Sequence, residues 1–267
     1  MMTESDTKEK RDCDIYAAGR RNRPDAEDKM YRVGAVVLAG GQGRRMQSHV
    51  QKQYMMLGGR RLIVYALKAF EKSAVDEIVL VTGAGEEDYA RQQIVDTYGI
   101  RKITAVVAGG KERYHSVYEG LKALKHCDYV LIHDGARPLV TEEIIQRAID
   151  GAKDYQACVI GMPVKDTIKV SDDDGFAVST PNRGYLWQIQ TPQAFFYPLV
   201  RGAYDAVMSD PELQSGITDD AMVVESCTSC KVKLIEGSYE NLKVTTPEDI
   251  TLAEALLRSH MEMGDDV

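Results

Sequence analysis

From Val33 onward, short apolar stretches alternate with segments whose apolar residues recur at helical spacing. The apolar stretches read VGAVVLA, EIVLVTG, ITAVVAGG, YVLIHD and ACVIGMPV, and the segments between them read RLIVYALKAFEKS, EEDYARQQIVDTYG, HSVYEGLKALKH and EEIIQRAIDGAKD. Strands that are apolar throughout and joined by helices are typical of a parallel sheet. The pattern therefore predicts an α/β fold, a mostly parallel sheet with helices on both faces. Ligands of such sheets bind beyond the carboxyl ends of the strands.

Two segments depart from this alternation. Residues 1–31 mix both signs of charge with few apolar residues, so we expect a flexible charged extension. The segment PVKDTIKVSDDDGFAVSTPNRGYLW, at about 161–186, alternates polar and apolar residues around the turn sequence DDDG and predicts a protruding β-arm. The main domain is expected to span 32–260 and to end with the amphipathic helix PEDITLAEALLRSH, followed by a tail at 261–267.

The charge and the cysteines limit the partners. A formal net charge of -8 disfavours nucleic acid, so any positive charge that binds phosphate must be local. No apolar run reaches bilayer length and no signal-peptide pattern opens the sequence, so we expect a cytoplasmic protein without a membrane partner. Cys227 and Cys230 form a C-x-x-C pair, but the second pair or the histidines that zinc needs are missing. Two ordinary thiols are favoured, with a redox role as the alternative.

The sequence LAGGQGRRM directly follows the first predicted strand. It is not a dinucleotide-binding motif, because Met46 stands where the third glycine belongs, and no Gly-Lys-Ser/Thr of a P-loop is present. We interpret it as a loop whose backbone N–H groups approach the phosphates of a nucleotide. Arg44, Arg45 and Lys52 would add positive charge. The alternative is an ordinary turn with solvated arginines.

Two further strand ends carry polar residues. Asp134, in VLIHDGARPLV, ends an apolar strand and could hold Mg²⁺ against a triphosphate, although a turn cap is an equal alternative. Arg137 places a cation near the same rim. In AGGKERYHSV, two glycines end a strand and Arg113 and Ser116 begin a helix, which suits a nucleobase or a ribose. An ordinary strand-to-helix loop explains that segment equally well.

These motifs occur together in one known family. LAGGQGRRM, KQY, GGKERYHSV, HDGARP, PVKDTIK, LWQIQTPQAF, ITDDA and NLKVTTPEDI have the order and spacing of 2-C-methyl-D-erythritol 4-phosphate cytidylyltransferases, which the sequence resembles over about 32–260. The resemblance implies a Rossmann-like nucleotidyltransferase domain and a homodimer with arm exchange. It also implies Mg²⁺-dependent transfer of a cytidylyl group from CTP to 2-C-methyl-D-erythritol 4-phosphate. The products would be 4-diphosphocytidyl-2-C-methyl-D-erythritol and pyrophosphate, in non-mevalonate isoprenoid biosynthesis.

The resemblance also assigns roles to single residues. Catalysis would involve Arg45, Lys52, Asp134 and Lys243, and Asp134 would also be the metal ligand. The nucleotide would contact Leu38, Ala39, Gly40, Gly41, Gly43, Gly110, Lys111, Arg113, Ser116 and Gly135. The second substrate would contact Arg137, Thr167, Thr191, Thr218 and, from the arm, Arg183. Lys111 stands where the family commonly has an acidic residue.

The implied reaction is an in-line attack by a phosphate oxygen of the sugar phosphate on the α-phosphorus of CTP. It needs no protein nucleophile, so positioning and charge stabilisation would provide the catalysis. The nearest alternative is a cytidylyltransferase for another polyol phosphate such as ribitol 5-phosphate, because enzymes of that group share LAGG. The motifs PVKDTIK and LWQIQTPQ favour methylerythritol phosphate as the substrate. The other alternative is an inactive nucleotide-binding or scaffold protein, which the joint presence of the proposed catalytic residues disfavours.

Overall fold

The structure of the protein, a computed structural model, describes residues 31–41 and 51–263. The strands within these ranges are β1 (Val33–Leu38), β2 (Met56–Leu57), β3 (Arg60–Arg61), β4 (Glu77–Thr82), β5 (Ile103–Ala108), β6 (Tyr129–Asp134), β7 (Ala157–Pro163), β8 (Val170–Ser171), β9 (Ala177–Ser179), β10 (Trp187–Phe196) and β11 (Lys233–Glu236). The helices are α1 (Leu62–Lys72), α2 (Glu87–Ala90), α3 (Arg113–Ala123), α4 (Glu142–Tyr155), α5 (Tyr197–Ser209), α6 (Asp220–Cys227) and α7 (Pro247–Met263). A π-helical segment, Arg91–Asp96, continues α2.

The central sheet has the strand order β11-β7-β10-β6-β1-β4-β5. The β1, β4, β5 and β6 strands run parallel to one another, and β11 runs parallel to β7. The β10 strand is antiparallel to both of its neighbours, β6 and β7. The expectation of a mostly parallel sheet is confirmed, with β10 as an antiparallel insertion.

Helices cover both faces of the sheet, as the apolar strands predicted. Along β1, Ala35 and Val37 pack in the layer that contains α1, α2 and α4, whereas Val36 packs in the layer that contains α3, α5 and α6. All three side chains are fully buried. Burying one valine side chain stabilises a fold by about 1.5–3 kcal/mol. Because β1 is covered on both sides, its apolar run has no polar alternation.

The protruding arm is present, but it is shorter than expected. Residues 161–163 belong to β7, and Pro163 pairs with Trp187 of β10. Beyond Pro163, β8 and β9 form a small antiparallel hairpin around the DDDG turn, where Gly175 adopts φ 85°. A positive φ of this size favours glycine. The hairpin is not part of the central sheet.

The chain ends differ from the expected boundaries in detail. Residues 1–30 of the expected extension lie outside the described residues, whereas Tyr31 packs edge-on against Tyr129 with ring centroids 5.9 Å apart. The closing helix α7 begins at Pro247 as predicted but continues to Met263, so the first part of the expected tail is helical. No helix in the described ranges has both the length and the apolar character needed to span a membrane.

The C-x-x-C pair lies at a helix-to-strand junction. Cys227 ends α6, and Cys230 precedes β11. Neither takes part in a disulfide among the described residues.

Candidate functional site

The described start of the glycine-rich segment and Asp134 lie side by side at the carboxyl edge of the sheet. Leu38, the last residue of β1, pairs with Asp134, the last residue of β6. The next residue, Gly135, donates its N–H to the Leu38 carbonyl at 2.9 Å. A Cβ at Gly135 would lie 2.7 Å from that oxygen, so a side chain would force the two strand ends apart. The described beginning of the loop, Gly40 and Gly41, therefore starts beside the carboxylate.

The Asp134 carboxylate is held between two cations. Its Oδ1 accepts from Arg113 Nε at 3.1 Å, and its Oδ2 accepts from Lys243 Nζ at 2.5 Å. Burial alone would raise the pKa of Asp134, but the combined charges of Arg113 and Lys243 outweigh it and lower the pKa well below its ordinary value. The carboxylate is therefore ionised at every pH at which the protein would work.

Lys243 is delivered by the segment that leads into α7. Val244, which follows it, is fully buried and donates its N–H to the Ala136 carbonyl at 2.8 Å. This hydrogen bond fixes the backbone of the segment two residues beyond Asp134. The Lys243 side chain remains 38% exposed, so it is partly accessible to solvent.

Arg113 is oriented by a second carboxylate, that of Asp220. Its Nη1 and Nη2 donate to Asp220 Oδ1 and Oδ2, both at 2.8 Å. Asp220 is fully buried, and Tyr204 also donates its hydroxyl to Oδ1, at 2.6 Å. Burial alone would lower the pKa of Arg113, but Asp220 and Asp134 raise it above its ordinary value. Arg113 thus links two carboxylates, although its sequence motif suggested a base or ribose contact.

Thr191 lies beneath Asp134 in a buried chain of hydrogen bonds. Its hydroxyl oxygen accepts from the Asp134 N–H at 3.0 Å and is 3.1 Å from His133 Nδ1. His133 Nε2 lies 3.2 Å from the Arg137 carbonyl, which can only accept, so Nε2 carries the hydrogen. Burial lowers the pKa of His133 to about 4, so the ring is neutral and the Thr191 hydroxyl donates to Nδ1. The threonine hydroxyl proton is therefore already engaged.

Arg137 is buried rather than presented at the rim. Its Nη1 donates to the Asn241 carbonyl at 2.7 Å and its Nη2 to the Ile189 carbonyl at 3.4 Å. Burial lowers its pKa. Within the described part of the chain, Arg137 Nε and Asn241 Oδ1 are buried without a hydrogen-bond partner. Arg137 thus joins the segments that carry Thr191 and Lys243.

The loop before α3 forms a second wall. Gly110 donates its N–H to Ser116 Oγ at 3.1 Å, and Ser116 in turn donates to the Glu112 carbonyl at 3.3 Å. A Cβ at Gly110 would lie 2.4 Å from the Cβ of His115. Lys111 is exposed. The loop conformation is therefore set by Gly110 and Ser116, and not by Lys111.

The remaining expected residues lie on other segments or outside the described ranges. Lys52 is half-buried at the start of a short helical turn, Lys52–Tyr54. Thr167 is exposed on the arm, and Arg183 donates to the Lys165 carbonyl at 2.9 Å. Thr218 is exposed two residues before Asp220. Gly43, Arg44, Arg45 and Met46 lie outside the described residues.

Sequence reasoning missed the residues that support the site from below. Asp220 stood within ITDDA and His133 within HDGARP, but neither was assigned a role. Gln193 was also missed: its Oε1 accepts from the N–H groups of Asp220 and Ala221 at 3.0 and 2.9 Å. A charged residue directly before an apolar helical segment was the available signal for Asp220.

The donor set decides how a divalent metal could bind. The described residues contain no cluster of three or more His, Cys, Asp or Glu side chains suited to a metal ion. Each oxygen of Asp134 accepts one hydrogen bond from a side chain and keeps a further lone pair. One carboxylate that leaves the other positions to phosphate oxygens and water is a common arrangement for Mg²⁺. The residues therefore fit a metal that arrives with a phosphorylated ligand.

Comparisons with known proteins agree on one family. The family model described as 2-C-methyl-D-erythritol 4-phosphate cytidylyltransferase matches residues 33–259. A protein of that name from Lachnoclostridium phytofermentans is 48% identical over 233 residues, 87% of this chain and 99% of the relative. One from Alkaliphilus oremlandii is 44% identical over 237 residues, 88% of this chain and 99% of the relative.

Solved structures give the same result. The 4-diphosphocytidyl-2C-methyl-D-erythritol synthase of Anaerococcus prevotii superposes with a TM-score of 0.74 at 35% identity, covering 85% of this chain and 96% of its own. The Thermus thermophilus 2-C-methyl-D-erythritol 4-phosphate cytidylyltransferase gives a TM-score of 0.69 at 29% identity, covering 85% and 99%.

Proposed function

Because the chain belongs to the 2-C-methyl-D-erythritol 4-phosphate cytidylyltransferase family, we propose that it transfers a cytidylyl group from CTP to 2-C-methyl-D-erythritol 4-phosphate. The products are 4-diphosphocytidyl-2-C-methyl-D-erythritol and pyrophosphate, in non-mevalonate isoprenoid biosynthesis. The observation that carries this proposal is the Asp134 carboxylate between Arg113 and Lys243, next to the start of the glycine segment. At that position, the anionic substrate could contact the positive charge of Lys243, and its metal ion could contact the Asp134 carboxylate.

In the proposed reaction, a phosphate oxygen of the sugar phosphate forms a bond to the α-phosphorus of CTP as the bond to pyrophosphate breaks. The attacking oxygen is already anionic, so no side chain has to remove a proton. Lys243 stabilises the approach of the second phosphate, because its ammonium pairs with Asp134 and its side chain is partly exposed. Arg45 and Lys52 stabilise the charge on the α-phosphate and the departing pyrophosphate. Charges held in place before the reaction lower its barrier.

The nucleotide is proposed to lie along the carboxyl edge of the sheet. Backbone N–H groups of the glycine segment, from Gly40 onward, bind its phosphates, and the loop shaped by Gly110 and Ser116 holds its base and ribose. A bound Mg²⁺ would neutralise triphosphate charge and fix the bend of the triphosphate. Asp134 would supply its carboxylate ligand.

The arm supports a homodimer with arm exchange. Phe176 is 72% exposed, Val178 60% and Tyr185 83% in the single chain, although their apolar surface favours burial. Thr167 and Arg183 lie on the same arm, and Arg183 bonds to the arm's own Lys165 carbonyl. A neighbouring subunit would cover the apolar residues and receive these two polar ones. The cytoplasm remains the expected compartment.

A substrate panel tests the function. Purified protein with CTP, Mg²⁺ and 2-C-methyl-D-erythritol 4-phosphate should release pyrophosphate and form the cytidine diphosphate alcohol in equal amounts. Replacing CTP with UTP or ATP, or the sugar phosphate with ribitol 5-phosphate, should lower kcat/KM strongly. A preference for ribitol 5-phosphate would identify the protein as a cytidylyltransferase for another polyol phosphate. The absence of pyrophosphate release with every pair would support a binding protein without activity.

A further inference from the structure

We propose that Asp220 is a positioning residue that acts through Arg113 and keeps the Asp134 carboxylate available to the magnesium nucleotide. The inference rests on the proposed function, because Asp134 is the metal ligand only in that setting. Asp220 does not touch Asp134; Arg113 stands between them and hydrogen bonds to both.

The division of the Arg113 donors is the first step. A guanidinium has five N–H donors, and two of them on Nη1 and Nη2 form a fork that matches a carboxylate. In this structure Asp220 takes the fork, with both distances at 2.8 Å. Asp134 receives a bond from Nε, at 3.1 Å. Arg113 therefore binds Asp220 at two points and Asp134 at one.

The second step is competition between the two carboxylates. Without the charge of Asp220, the forked donors of Arg113 would find their nearest carboxylate in Asp134. Arginine binds carboxylates most strongly in the two-point arrangement. Asp134 would then use lone pairs on both oxygens for Arg113, in addition to the bond from Lys243. Asp220 prevents this capture and leaves lone pairs of Asp134 for a metal ion.

The third step is the rigidity of Asp220. Tyr204, on α5, donates to Oδ1 at 2.6 Å, and Gln193, on β10, accepts from the N–H groups of Asp220 and Ala221. The carboxylate is fully buried. A group fixed from two neighbouring elements can hold the Arg113 guanidinium in one orientation, as a positioning residue must.

The neighbouring residue offers a matched control. Asp219 caps α6 by accepting from the Met222 N–H at 2.9 Å, and it accepts from Gln193 Nε2 at 2.9 Å. Asn is an equally good helix cap, so Asp219→Asn removes one carboxylate charge next to Asp220 and preserves the cap, although it loses the hydrogen bond from Gln193 Nε2. The Arg113 fork remains on Asp220.

The test compares CTP binding with Mg²⁺ and with EDTA, measured by calorimetry without the sugar phosphate. In the wild type and in Asp219→Asn, Mg²⁺ should tighten CTP binding. In Asp220→Asn this enhancement should fall about tenfold or more, while CTP binding in EDTA changes little. A general loss of packing would weaken both kinds of binding, so the ratio isolates the positioning role. If Asp220→Asn does not fold, Tyr204→Phe, which removes one of the hydrogen bonds that fix the Asp220 carboxylate, should lower the enhancement in the same direction.

Three results would overturn the inference. They are an unchanged Mg²⁺ enhancement of CTP binding in Asp220→Asn, an equal loss of that enhancement in Asp219→Asn, and a wild-type affinity for CTP that does not depend on Mg²⁺. The proposed function is judged separately, by turnover of CTP and the sugar phosphate in the wild type. A wild type that forms product while Asp220→Asn keeps its enhancement would leave the function standing and remove only the positioning role.

Discussion

Lys243 Nζ lies 2.5 Å from Asp134 Oδ2, although 109 residues separate them along the chain. The contact joins the segment that leads into α7 to the end of β6. It brings together two residues that the family resemblance assigns to catalysis. In the proposed reaction, this ammonium would meet a phosphate of the second substrate beside the nucleotide.

Lys243→Ala should lower kcat by about 10²-fold, because it removes one preorganised positive charge from the site. Thermal stability should change little, since Arg113 still pairs with Asp134. Steady-state kinetics with both substrates saturating would measure the loss. Lys122→Ala, which removes a surface lysine paired with Glu119, is the control. A Lys243→Ala enzyme with wild-type kcat would contradict the role.

Lys52→Ala should also lower kcat by about 10²-fold or more, because the departing pyrophosphate would lose a positive partner. Lys52→Arg keeps the charge and should retain part of the rate. Single-turnover measurements of pyrophosphate release would separate the chemical step from product release. Normal turnover by Lys52→Ala would show that another group stabilises the charge of the departing pyrophosphate.

Two inactive variants should complement each other if the arm crosses between subunits. Arg183→Ala damages the arm, and Lys243→Ala damages the body of the subunit. In a mixed dimer, one site combines an intact arm with an intact body, so random mixing should restore roughly a quarter of wild-type activity. Activity after co-refolding of the two variants measures this. No gain over the separate variants would indicate that each site is built within one chain.

His133 should make stability depend on pH. Its pKa is about 4 in the folded protein, below its ordinary value of 6.5. Below pH 6.5 the unfolded chain takes up a proton that the folded protein does not, so stability decreases as pH falls. The free energy of unfolding should decrease by about 2 kcal/mol between pH 7 and pH 5 from this group.

Chemical denaturation of the wild type and of His133→Gln at both pH values tests this predicted decrease in the free energy of unfolding. The difference in stability between them should shrink at pH 5, because only the wild type has the titrating ring. His126→Gln, at an exposed histidine, should follow the wild type. A constant difference between the wild type and His133→Gln would contradict the lowered pKa.

The parallel core of the fold could be predicted because its signals are local. Each strand from β1 to β6 in the central sheet is a run of apolar residues, and each connecting helix shows helical periodicity. The site edge followed from the same pattern, since parallel strands end together. The π-helical continuation of α2 at Arg91–Asp96 was not predicted, because its apolar spacing resembles that of a regular helix.

The β10 strand shows why the rest could not be predicted. Its sequence, WQIQTPQAFF, mixes glutamines with an internal proline, and its register with β7 shifts between Ile189 and Gln193. Proline lacks the N–H of a ladder residue, so the period of two is lost. The pairing of Arg113 with Asp220 spans 107 residues and has no local spacing to reveal it. Such contacts are created by the packing of α3 against the strands and by the position of α6.

A crystal structure of the protein with CTP and Mg²⁺ tests the central claim most directly. We expect the metal to be coordinated by triphosphate oxygens and Asp134, with the phosphates along the backbone from Gly40 onward and the α-phosphorus within reach of Lys243. A triphosphate bound elsewhere, or a magnesium ion remote from Asp134, would contradict the account.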